Sequence, residues 1–187
     1  SIGEYGFATN KLTKVILPES LRVIGAYAFY NNLLKDITFN SNPSIGGGAF
    51  SNNKMPSSEG ILYKYDATMR QFDYSTIIGY AGAPRNNLTI PTSRGGVQLK
   101  ALGPSALTYL GLTGTLKIPN TITTYEGTQV FCSNSLTYVD NGDGINTDGI
   151  VYARNSDGTP NKKVVYSYAG KNKNPVIPNG VEKIGNY

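Results

Sequence analysis

Histidine and tryptophan are absent from this chain of 187 residues, and cysteine occurs once, at Cys132. Without histidine there can be no Ser/His/Asp or Cys/His catalytic arrangement and no histidine-bearing zinc site, and a lone cysteine cannot close an internal disulfide. Much of enzymology is excluded on composition. Scarce cysteine fits the cytosol and disulfide-free secreted proteins equally. No apolar run approaches the ~20 residues of a membrane-spanning helix, and the opening SIGEYGF has neither the basic nor the apolar region of a signal peptide.

What the chain does have is 39% hydrophobic residues, enough for a folded core, together with 14 Tyr, 22 Gly and 10 Pro. That mixture favours short strands and turns over long helices. Bases outnumber acids, 17 to 12. The excess gathers late: between Gly149 and Tyr187 six Lys/Arg face two acids, centred on KKVVYSYAGKNK. Such a run is ordinarily a solvated face, and otherwise suits an acidic polymer or a glycan.

The strongest signal is self-similarity. Ile2/Gly3/Phe7 recur as Ile24/Gly25/Phe29 and Ile45/Gly46/Phe50, and Leu12, Val15, Leu17 recur as Leu34, Ile37, Phe39. Leu102/Gly103/Leu107 and Tyr125/Phe131 continue the series, and Ile184/Gly185 begins another coil. A repeat of about 22 residues kept at several apolar positions marks a solenoid. No single coil can bury its apolar edge alone, so neighbours must stack, roughly 4.8 Å apart when paired as strands. This spacing predicts strands in LTKVIL and LKDITF, ended by prolines such as Pro18, Pro91, Pro119 and Pro178. It also predicts Phe7, Phe29, Phe50 and Phe131 in one aromatic column.

Two stretches, about 45–101 and 125–183, are longer than one coil and resemble each other. GILY at Gly60 matches GIVY at Gly149, IIGYAG ending at Gly82 matches VYSYAG ending at Gly170, and LTIP at Pro91 matches PVIP at Pro178. Each reads as a variant coil holding a β-hairpin, with turns at Asp66 to Arg70 and Asn155 to Gly158. The TSRGGVQLKAL segment after the first reads as a loop.

With these residues in view, the chain resembles the BspA-type leucine-rich repeats of bacterial surface proteins, whose coils follow LxxVxLPxSLxxIGxxAFxxC/N. LTKVILPESLRVIGAYAFYN, Leu12 to Asn31, carries the pattern, and VFCSNSLTYV supplies its aromatic, Cys and Leu at Phe131, Cys132 and Leu136. Departures fall at Leu107, at Tyr125-Glu126, and at Gln129-Val130, where one extra residue precedes Phe131. The resemblance implies a right-handed leucine-rich repeat solenoid, α/β by convention but built mostly of short strands and turns, forming one domain over 1–187 as a segment of a longer protein. It further implies an extracellular or cell-surface place, with signal and anchor outside the segment, and non-enzymatic adhesion to a protein or glycan on a host or bacterial surface. A structural spacer displaying another domain is the alternative, and a carbohydrate-active enzyme a remote one. No cofactor, nucleic acid or membrane span is expected.

On a solenoid the outward positions of successive strands form a continuous surface for partners. Here they are Lys14, Ile16, Asp36, Thr38, Lys117 and Tyr138, with Asp140 beside the last. Tyr27, Tyr30, Tyr63, Tyr65, Tyr74, Tyr109 and Tyr138 could add exposed rings, since tyrosine gives contact area at little rotamer cost. Tyr80 and Tyr168, at matching places before Ala-Gly, read as structural. DNGDGINTDG, Asp140 to Gly149, invites calcium, but Gly142 and Ile145 stand where oxygen ligands belong. Gly46 to Gly48 lack the Lys-Ser/Thr of a phosphate loop. Asn87-Leu88-Thr89 is a glycosylation sequon. Cys132 reads as packing at a coil corner, and no two of Asp66, Asp73 and Glu126 are placed by the repeat in one cleft.

Overall fold

A computed structural model describes residues 1–55, 60–127 and 129–185. Among them every regular element is a strand, and the chain winds through about seven turns of a solenoid. The repeat landmarks become its rungs. Ile2 bridges Ile24 in parallel, and strand Val23–Ile24 pairs with Ser44–Ile45. Lys14–Leu17 pairs in parallel with Asp36–Phe39, with Val15 opposite Ile37 and Leu17 opposite Phe39. The sequence offsets therefore appear as lateral registers.

The long stretches prove to be coils of a second kind. Ile61–Asp66 and Gln71–Tyr80 form an antiparallel hairpin, and so do Ile150–Arg154 and Pro160–Tyr168. In each, the returning strand supplies a rung. Ile77 pairs with Leu102, which pairs with Tyr125, and Val165 pairs with Ile184. The rungs thus fall into three ladders, and the breaks lie where the chain enters each hairpin. The TSRGG segment, expected as a loop, is itself a small hairpin of Ser93–Arg94 and Val97–Gln98. Gly95 and Gly96 turn it with positive φ, Gly95 against the ring of Tyr74.

Each large hairpin divides two hydrophobic cores, because successive side chains of a strand point to opposite faces. From the first, Leu62 and Ala81 join the N-terminal core around Leu17, Phe29, Leu34 and Phe50. Ile61, Tyr63, Ile77 and Tyr80 join the central core around Leu102, Leu116 and Phe131. From the second, Val151 and Ala169 face that central core, while Ile150, Tyr152 and Val165 make a third.

Matching glycines close both hairpins. A Cβ on Gly60 would lie 2.8 Å from the nitrogen of Gly82, and one on Gly149 only 2.2 Å from the Cα of Gly170. The tyrosines before Gly82 and Gly170 fold back over them. Tyr80 Oη donates to Ala83 O at 3.0 Å, and Tyr168 Oη to Asn172 O at 2.9 Å. Their structural role therefore has a geometric basis: ring, glycine and facing glycine fill one space.

The aromatic column is shorter than the repeat suggests. Phe7, Phe29 and Phe50 stack with centroids 5.3 and 5.1 Å apart and planes within 5°. Phe131 stands apart, edge-on to Tyr125 at 5.0 Å, because a hairpin and a coil with Leu107 intervene. Full burial of Phe29, Phe50 and Phe131 is worth about 1.5–3 kcal/mol each.

A parallel column of asparagines runs three residues beyond the aromatics. Asn53 Nδ2 donates to Phe29 O and Phe50 O while its Oδ1 accepts from Leu34 N–H. Asn32 and Asn134 do the same, satisfying corner carbonyls that no strand reaches. Asn134, then, fills the polar position of its coil. Cys132, expected there, lies at the half-buried place of Tyr30, its backbone O accepting from Tyr109 N–H. The extra residue before Phe131 is absorbed at the corner, where Gly127 and Gln129 both have positive φ. Pro178 ends no strand: Val176 and Ile177 before it are exposed and unpaired.

Candidate interaction surface

Two surfaces present chemistry outward. The first is the strand face foreseen in the repeat. Lys14 sits opposite Asp36 and Ile16 opposite Thr38; Thr115 sits opposite Tyr138 and Lys117 opposite Asp140. The six foreseen residues therefore form two patches on separate sheets, not one strip. In the first, Lys14 Nζ and Asp36 Oδ2 are 2.7 Å apart beside Ile16, which is 61% exposed. Such an exposed ion pair adds about 0–1 kcal/mol, so it shapes the surface more than it stabilises the fold. In the second, Asn87–Thr89, Thr115–Lys117 and Tyr138–Asp140 lie side by side, with Tyr138 45% exposed. Asn87, the sequon residue, accepts there from Thr115 N–H through its Oδ1.

The second surface was not foreseen as a unit. Each regular corner places residues in left-handed conformation, three and seven positions after the rung residue, as at Tyr5 and Thr9, Tyr27 and Asn31. Their N–H groups then point along the stack: Tyr5 N donates to Ala26 O, Thr9 N to Tyr30 O, Tyr27 N to Gly47 O and Asn31 N to Ser51 O. Tyr5 and Tyr27, one coil apart, consequently stack at 5.0 Å with planes 8° apart. In the next coil the place belongs to Gly48, with φ of 65°. Its missing side chain admits Tyr109 from beyond the first hairpin, and the Tyr27 and Tyr109 rings come to 5.2 Å. Tyr30 meets Tyr27 edge to face at 5.6 Å and 84°.

These three rings wall a groove of about 240 Å³ whose other sides are Ser51, Asn52, Pro84, Leu110, Gly111 and Ser133. Asn52 Nδ2 donates to Asn31 Oδ1 at 2.9 Å, and Ser51 Oγ donates to Gly48 O. Burial, and then the nearby Tyr5, Tyr109 and Tyr30 hydroxyls and Glu4, push the Tyr27 hydroxyl up to about 12, so it stays a neutral donor and acceptor.

The remaining tyrosines divide between core and surface. Tyr63 is buried, whereas Tyr65 and Tyr74 are half-buried around Phe72, which also meets Phe39 edge-on at 6.3 Å. Asp140 and Asp66, weighed for metal or catalysis, serve local turns. Asp140 Oδ1 accepts from Gly142 and Gly144 N–H, and Asp66 Oδ1 from Thr68 and Met69 N–H. Asp73 is held below the usual carboxylate range by the Ser75 hydroxyl. Partial burial would raise Asp143, but hydrogen bonds from Lys162 and Ile145 N–H outweigh it and hold it low.

Residues 1–61 match the family model described as BspA type Leucine rich repeat region (6 copies). No curated protein and no solved structure matches the chain. A solenoid of this type is a non-enzymatic repeat fold, and its extended faces are those of a repeat-based protein-interaction module. No helix among the described residues is long and apolar enough to cross a membrane. Residues 1–61 are thus similar to a BspA-type leucine-rich repeat region, and the later coils and both hairpins extend the same kind of stacked rungs.

Proposed function

We propose that the chain is a non-enzymatic adhesion module displayed at a bacterial cell surface, where it holds a protein or glycan of a host or of another bacterium. The observation that carries this reading is the outward strand face: Ile16 exposes apolar area beside Lys14, Asp36 and Thr38 in one patch, and Tyr138 does so beside Lys117 in the other. The match of residues 1–61 to BspA-type repeats supports the location, since such repeats are generally surface-associated in bacteria. Affinity in such a module is the sum of modest contacts along the stack, so no single residue dominates.

The test is retention of the purified chain on arrayed host matrix proteins and surface glycans, with Ile16→Ala and Tyr138→Ala combined. Binding that weakens by about tenfold in the double variant, with unaltered urea unfolding, supports the reading. Absence of binding on every array would overturn it and favour a spacer, which predicts that deleting coils shortens display without reducing adhesion by the parent protein.

A further inference from the structure

We infer that the tyrosine-walled groove at the coil corner is a binding site for a neutral sugar, taking a pyranose ring against the wall formed by Tyr27, Tyr30 and Tyr109. The site lies away from the outward strands and stands or falls independently of them.

The argument starts from charge. The chain carries a formal net charge of +5, yet no Lys, Arg, Asp or Glu lines this groove. An anionic glycan, a phosphate or an acidic peptide would find no cation among the lining residues, so electrostatic complementarity selects an uncharged occupant. The lining is amphipathic in a particular way. Three phenol rings packed on one another offer apolar surface, Tyr109 the most exposed of them, and Asn52 and Ser133 offer an amide and a hydroxyl beside them. A pyranose matches both halves, because its axial C–H groups make an apolar face while its equatorial hydroxyls radiate in the ring plane. Asn52 is set for this use: its Nδ2 is engaged by Asn31, which orients the amide oxygen.

Ring geometry argues against the other neutral occupant, a proline-rich segment. Polyproline helices seat across grooves lined with aromatic rings, whereas here Tyr27 and Tyr30 meet at 84° and Tyr109 tilts 47° from Tyr27. The rings enclose a corner, not a channel of parallel ridges. Size agrees: about 240 Å³ falls below the ~300–1,000 Å³ of drug-sized sites and suits one ring, with the rest of an oligosaccharide in solvent. Preorganisation favours binding as well. Tyr27 and Tyr109 are held by the corner backbone, Tyr27 N–H to Gly47 O and Tyr109 N–H to Cys132 O, so little ordering accompanies contact.

The experiment uses the whole chain and four neutral tetrasaccharides, β-1,4-glucan, β-1,4-xylan, α-1,4-glucan and β-1,4-N-acetylglucosamine, read by saturation-transfer NMR and titration. At least one is expected to bind, with ring protons saturated from tyrosine. Tyr109→Ala should weaken it by about tenfold or more and Asn52→Gly by about threefold to tenfold, while Tyr109→Phe keeps most of the affinity. Asn52→Gly suits the left-handed backbone there, so it tests the amide even where Tyr109→Ala disturbs folding. No saturation from any of the four, binding indifferent to both variants, or Tyr109-dependent binding of decaproline in place of the sugars would each overturn the inference.

Discussion

The two hairpins solve one problem with different chemistry. Both begin at a left-handed glycine, both end in Tyr-Ala-Gly, and both divide neighbouring cores. Their lateral fastening differs. The first is held to the preceding coil by rings, Phe39 against Phe72 and Phe72 between Tyr65 and Tyr74, with an exposed Arg70–Glu19 pair at its tip. The second is held by Arg154, whose Nε donates to Tyr125 Oη at 2.8 Å and whose Nη1 donates to Asn141 O and Gly158 O. Its guanidinium also lies 5.6 Å from the Tyr125 ring centre. Behind it, buried Asn141 donates to Ile150 O and accepts from Tyr152 N–H. The shared glycine clasp sets the path of the chain, and the side contacts that secure it can be apolar or polar.

The largest effects should come from the clasp itself. Gly149→Ala puts a Cβ 2.2 Å from Gly170 Cα at a φ of 79° and should cost about 3 kcal/mol or more; Gly60→Ala, with 2.8 Å to its nearest atom, about 2 kcal/mol. Urea unfolding measures both, and tolerance of either would show that the hairpins do not share a clasp. Next come the fastenings. Arg154→Met strands the carbonyls of Asn141 and Gly158 and should cost about 2–3 kcal/mol, against about 1 kcal/mol for Phe72→Ala, whose ring is already 38% exposed. Equal losses would erase the contrast between polar and apolar attachment.

The remaining effect is confined to high pH. Burial pushes the Tyr125 hydroxyl up to about 12, with the charge and hydrogen bond of Arg154 opposing in part. A pKa raised on folding adds stability that is intact below the unfolded value near 10 and is lost as pH climbs toward 12. Over that window the loss should be roughly 1–2 kcal/mol. Tyr125→Phe should flatten it in unfolding curves taken across the same window, and an unchanged slope would remove Tyr125 as its source.

Most of the architecture is legible in the chain because apolar landmarks at a fixed offset have one consistent solution. Ile24 beside Ile45 and Leu17 beside Phe39 follow from that alone, and so do the hairpins with their turns. Three features were not legible. Where the rung ladder breaks depends on how a hairpin enters the stack, which an offset does not encode, so Phe131 leaves the expected column. The polar ladder was not foreseen, and the Cys of the repeat pattern was matched to Cys132 where Asn134 fills the position, since only hydrogen bonds distinguish the inward residue of a tight corner from its neighbour. The tyrosine groove joins Tyr27 to Tyr109 across an intervening coil. Its one sequence sign was Gly48, standing where the flanking pattern offers a side chain.

The alternating faces of the hairpins also bear on how the molecule comes apart. Fraying that starts at one end strips a hairpin of partners on a single side, while its other row stays packed in the next core. Each partition should therefore act as a firebreak, so that damage in a terminal block is contained before it reaches the middle of the protein.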